Sequence, residues 1–172
     1  MPGVGQAEPI VTLGEAQAFA RIETGEEDAL LAGLVRTASG LCEAFLGQVV
    51  IERAFAEQLP ASTQWQKLEV APVRSISAVT IDGAPVPPTA FATDVDSSGQ
   101  GWIRLTGGAI RGIVEVSGTA GLASGQNDVP EAIRHGVLRL VAHLFAARDG
   151  DGGEIPSAVS ALWRPYRRMR LR

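Results

Sequence analysis

The chain has 172 residues, 45% hydrophobic and 20% charged, with 20 glycines and 10 prolines, an ordinary composition for about one globular domain. It excludes a wholly disordered chain, a collagen and a coiled-coil rod. The uninterrupted apolar runs are only a few residues long, such as Val49 to Ile51, against roughly 20 for a membrane span, and Met1 to Pro9 lacks the pattern of a signal peptide, so neither a membrane partner nor a leader is expected. One cysteine, Cys42, leaves no internal disulfide framework and no multi-cysteine zinc site.

The net charge of −4 is unevenly placed. Lys67 is the only lysine, and five of the arginines fall in the last nine positions: Arg164, Arg167, Arg168, Arg170 and Arg172. Residues 1–163 hold 10 basic against 19 acidic residues, a net of −9, and the tail holds +5. An acidic body with a basic end points to a tail that docks on something negative. Cations at a helix end, complementing its dipole, are the plainer reading.

In chain order, residues 1–10 read as a loose arm. Thr12-Leu13-Gly14-Glu15 is a capping box, and Leu13, Ala16, Phe19 and Ala20 at helical spacing predict a helix over about 12–22. Thr24 to Glu27 repeats the device. The stripe Leu30, Leu31, Leu34, Val35, Ala38, Leu41, Cys42, Phe45 and Leu46, stopped by Gly47, predicts a second helix over about 26–46. The texture then turns to β over about 49–122. Val49 to Leu59, Trp65 to Val70, Ser75 to Ile81, Phe91 to Val95, Trp102 to Leu105 and Ile113 to Ser117 are strand-like, and Asp82-Gly83 marks a hairpin turn. Together they predict one small, mostly antiparallel sheet.

Asp128-Val129-Pro130-Glu131 opens a third helix over about 129–148, with Asp128 as its N-cap and Ile133, Val137, Leu140, Val141, Leu144 and Phe145 on its apolar face. Gly150, Gly152 and Gly153 form a hinge. Pro156 starts a last helix with Val159, Leu162, Tyr166 and Met169 on one face and Trp163 beside them, kinked or ended by Pro165. The fold class is α+β, a helical bundle interrupted by a small β-sheet. The organisation is an arm (1–10), a body (11–149) and a hinged basic segment (150–172).

Catalytic and metal patterns are weak. His135 and His143 lie eight residues apart on the third helix, about 12 Å along its axis, too far for one metal. Asp94 to Gly99 resembles the start of a calcium loop, but its twelfth position is Leu105 instead of the bidentate Glu; a turn between strands is the better reading. No phosphate-binding loop is available to a chain with one lysine, and no GxSxG elbow occurs. Cys42 sits within an apolar stripe, where cysteines are inert. No cofactor, metal or catalytic residue is assigned, and neither a recognition helix nor an aromatic platform for nucleic acid is evident.

The order of the segments carries more than any short motif. Pro9 to Ala16, Glu26 to Leu31, Glu43 to Gly47, Ala71 to Ile76, Val79 to Gly83, Val114 to Gly121, Val129 to Arg134, Val141 to Leu144 with Arg148, and Pro156 to Tyr166 together resemble tailed-phage head–tail connector proteins over roughly residues 9–168. The chain departs from that pattern at Gln17 to Arg21, where the family has a Leu-Arg pair, and at Gly121-Leu122-Ala123, where members carry Gly-Tyr-Gly. The resemblance implies a non-enzymatic adaptor, made and assembled in the bacterial cytoplasm. It implies a homo-oligomeric ring, commonly of twelve copies, at the head–tail junction of a phage, prophage or gene transfer particle. Its partners would be the portal protein, neighbouring copies and a downstream tail or stopper protein, with DNA passing through without sequence-specific binding. The C-terminal segment would dock into the portal through Leu162, Trp163, Arg164, Tyr166, Arg167, Arg168, Met169, Arg170 and Arg172. The alternative is non-specific nucleic-acid binding by the arginine-rich tail, which salt-sensitive retention on heparin would reveal.

Overall fold

A computed structural model describes residues 3–22, 25, 27–107, 111–147 and 154–168. The chain divides into a β unit, Met1–Ala7 with Glu52–Leu122, and a helical unit, Glu8–Ile51 with Ala123–Arg172. The α+β class stands.

In the helical unit, Thr12 caps α1 (Leu13–Ala20) with the full reciprocal pair: its hydroxyl accepts from the Glu15 N–H, and the Glu15 carboxylate accepts from the Thr12 N–H. The second helix, α2 (Asp28–Leu46), buries Leu31, Val35, Ala38, Cys42 and Leu46, the heart of the expected stripe. It ends where Gly47 turns left-handed, φ +67°, and donates its N–H to the Glu43 carbonyl. By length and composition α2 could cross a membrane. Single polar residues such as Arg36 and Ser39 keep its unbroken apolar runs short, and the helix packs against α1, α3 (Glu131–Ala146) and α4 (Ser157–Trp163). The Thr24 cap and the helix end at Arg148 lie outside the described residues.

Two helix starts differ from expectation. α2 begins at Asp28, two residues late. Asp128 closes a 3-10 turn, Gln126–Asp128, and α3 begins after Pro130; the turn's carbonyls are used instead, with the Arg134 guanidinium donating to Gln126 O at 2.6 Å. Arg134 also pairs with Glu15, and Gln126 Nε2 donates to Pro9 O at 2.6 Å. Buried Ile10 donates its N–H to Ser39 Oγ at 3.0 Å. The arm is therefore held at its C-terminal end.

Its N-terminal end belongs to the β unit, where β1 (Gly3–Val4) pairs with β2 (Arg53–Pro60). The single expected sheet is two. One has the order β1-β2-β8-β4-β5, with β4 at Val73–Ile81, β5 at Ala84–Pro85 and β8 at Ile113–Ala120; the other has the order β3-β7-β6, with β3 at Gln66–Lys67, β6 at Phe91–Val95 and β7 at Gly101–Leu105. All described pairings between strands are antiparallel. The Trp65 to Val70 run yields only the two-residue β3, because Glu69 and Val70 donate their N–H groups to the buried Glu57 carboxylate, at 2.7 and 3.1 Å, and leave the ladder. Gly118 lies opposite both Phe55 and Ile76. A Cβ there would meet Ser75 O at 2.0 Å, because bulges press β4 onto β8.

Candidate docking surfaces

The C-terminal segment is built onto the helical unit through one tryptophan. Pro156 precedes α4, and Val159 and Trp163, four residues apart, take its inward face. The expected face is thus rotated: Leu162 and Tyr166 are only half-buried, while Trp163 is 0% exposed. The indole lies on α3 where Gly136 has no side chain; a Cβ there would stand 2.2 Å from Trp163 Nε1. Nε1 donates to Ile133 O at 3.2 Å, and the Phe45 ring is 5.7 Å away. Trp163, expected among the portal-docking residues, here buries its large apolar surface in its own helical unit.

After Trp163 the backbone tightens to a 3-10 turn, Arg164–Tyr166, at Pro165. Gln48 Nε2 donates to Tyr166 O at 2.9 Å, and the Arg168 N–H donates to Leu46 O at 2.9 Å, closing the end of α2. The Arg167 guanidinium sits 5.4 Å over the Phe45 ring. The strap leaves Arg164 and Arg167 exposed and Leu162, Tyr166 and Arg168 half-buried. Met169, Arg170 and Arg172, with the hinge glycines Gly150, Gly152 and Gly153, lie outside the described residues.

A second surface was missed in the sequence. On the three-stranded sheet, Gly101, Ile103 and Leu105 point inward and are buried, so Trp102 and Arg104 point outward. In register, Lys67 and Asp94 flank Trp102 on the neighbouring strands, and both are exposed. Trp65, 44% exposed, stacks on the Arg104 guanidinium with its ring 4.8 Å away. Two of the three tryptophans, the only lysine and an arginine thus share one face. Alternation within Gly101 to Leu105 hints at half of it; the register that brings in Trp65 and Lys67 is a tertiary fact.

The remaining candidates are structural in character. Asp96 Oδ1 accepts from the Ser98 N–H, the Ser98 hydroxyl and the Gln100 N–H, at 2.8, 2.6 and 3.0 Å, so the acidic loop is a side-chain-stabilised turn with Gly99 at φ +73°. His135 is exposed and meets the Phe19 ring edge to face at 5.6 Å. Cys42 is fully buried, and burial pushes its thiol pKa up, away from thiolate chemistry. Thr12 hydrogen bonds, with Arg134 nearby, hold the Glu15 carboxyl below the usual carboxylate range against a smaller opposing effect of burial. No cluster of three metal-ligating side chains occurs among the described residues.

The profile of a family described as head completion protein matches residues 9–152. No curated protein matches the sequence. Among solved structures, the fold superposes on a chain from the neck of an empty gene transfer agent particle, computed with C6 symmetry, at a TM-score of 0.78 and 27% identity, covering 99% of this chain and 97% of that one. A chain from the virion of the native particle gives 0.78 and 25% over the same shares. A chain from the native neck, computed with C12 symmetry, shares the fold at 0.73 and 24% identity, again over 99% and 97%.

Proposed function

The chain belongs to the head completion protein family, and from that premise we propose that it is a structural connector at the head–tail junction of a phage or phage-like particle. Its copies form a cyclic ring beneath the portal, extend the DNA channel and present a platform to a downstream tail or stopper protein. The observation that carries this reading is the extent of the correspondence: the match to a gene transfer agent neck chain covers 99% of this chain and 97% of that one. The role is mechanical, and no catalytic group is required for it.

Portal docking falls to the C-terminal strap. Trp163 fixes the strap on α3, and the side chains outside that anchor do the docking: Arg164 and Arg167 with Arg168, the half-buried Leu162 and Tyr166, and the terminal Met169, Arg170 and Arg172. Arginine suits this work because its planar fork binds carboxylates in pairs of hydrogen bonds. The portal surface it meets is acidic. One weak contact per copy becomes firm docking when a whole ring binds a whole ring. The net charge of −9 over residues 1–163 repels phosphate, so DNA slides through without being held.

The test is co-purification with the portal protein from the same source. Arg164→Glu with Arg167→Glu reverses two exposed charges; the double variant should melt within a few degrees of the parent, the lost Arg167–Phe45 contact included, and lose the portal. A variant that docks at parental strength overturns the strap assignment.

A further inference from the structure

Resting on the ring reading above, we propose that the outward face of the three-stranded sheet, centred on Trp65 and Arg104, is the contact each copy makes with α2 of the next copy in the ring. A cyclic ring joins two different patches, one from each neighbour. The β unit supplies the first. Trp65 is 44% exposed, its one described ring contact is the Arg104 guanidinium, and Lys67 and Trp102 lie beside them. Tryptophan and arginine dominate the energetic centres of protein interfaces.

The helical unit supplies a matching second patch. Outside its buried seam, α2 presents Leu30, Leu34 and Leu41 at helical spacing; Leu30 is 44% and Leu41 37% exposed, and Leu34 is half-buried. The segment that carries them, residues 8–51, holds seven acidic residues and two basic ones. An apolar stripe in an acidic setting complements an aromatic face that bears a lysine and an arginine. Asp94, the one acid in register on that face, sits opposite Trp102 and leaves the Trp65–Arg104 pair positive. Charge also argues against DNA as the occupant, since phosphate approaching this face meets a chain whose residues 1–163 carry a net −9.

Lys67, the only lysine, makes the test direct. Rings assembled on the portal from a mixture of isotopically labelled and unlabelled protein are treated with a carbodiimide, which joins an amine to a carboxylate with no spacer. The expected product joins Lys67 of one copy to a carboxylate within residues 8–51 of another, in peptides of mixed label. Trp65→Ala should raise the concentration needed for assembly roughly 30-fold without lowering the melting temperature, and Leu30→Ser with Leu41→Ser should act in the same direction. Links from Lys67 confined to its own chain or to a tail-side protein overturn the proposal. So does a Trp65→Ala variant that assembles normally, whether or not it has lost affinity for duplex DNA. If the parent forms no ring on the portal, both the ring reading and this contact fail; a ring without the link fails the contact alone.

Discussion

Replacing Gly136 by alanine sets two effects of opposite sign against each other. In a helix interior alanine is better than glycine by about 1 kcal/mol, so an isolated α3 would gain. In the folded chain the new Cβ would lie 2.2 Å from Trp163 Nε1 and 2.8 and 2.9 Å from two other ring atoms. The indole must move by more than 1 Å to restore ordinary contact, which breaks the Nε1 bond to Ile133 O and unseats the ring from Phe45. Overpacking costs about 1–3 kcal/mol and the lost hydrogen bond about 1 kcal/mol. The balance is a net loss of about 2 kcal/mol. Urea unfolding followed by circular dichroism measures it, and tryptophan emission reports the cause: Trp163 is the one fully buried tryptophan, so its displacement should shift emission to the red. In a Trp163→Ala background the clash is gone, and Gly136→Ala should change sign and stabilise by up to about 1 kcal/mol. An unchanged sign across the two backgrounds, or a stabilised Gly136→Ala in the parent, would refute the seating of Trp163 on Gly136.

Glu57→Ala should cost about 3 kcal/mol in chemical denaturation, because the carboxylate is 2% exposed and satisfies the Glu69 and Val70 N–H groups. Thr12→Ala should cost about 1 kcal/mol through loss of the α1 cap. The Glu15 carboxyl has a folded-state pKa below its ordinary value of 4.5. Its contribution to stability is therefore fully present above that value and is lost as pH falls through the depressed one. Melting curves from pH 6 to 3 should show a smaller acid loss in Glu15→Gln than in the parent. Removing 155–172 takes away Trp163 and Val159, both buried, and should lower the melting temperature by several degrees.

How far the sequence could be read follows from which signals are local. The Thr12 box, the Gly47 stop and the 3.6-residue stripe of α2 are properties of neighbouring residues, and the helices follow them closely. Phe91 to Val95 and Trp102 to Leu105 were legible because strand alternation is local too, the second strand starting one residue earlier at Gly101. What escaped depends on distant partners. The split into two sheets needs Glu57 to draw Glu69 and Val70 out of a ladder. The inward turn of Trp163 needs Gly136, 27 positions earlier, to leave room for it. The Trp65–Arg104 face needs the register of three strands. The basic tail was visible as charge, but the buried aromatic that holds its strap in place was indistinguishable in sequence from one offered to a partner.

On the proposed function, this chain joins a portal as a ring. The mass of the species formed when purified protein meets the assembled portal from the same source, measured by size-exclusion chromatography with light scattering, tests it most directly. The expected result is a single discrete species, the portal plus one complete ring of copies. An assembled portal and a folded protein that elute apart, each at its own mass, would contradict it.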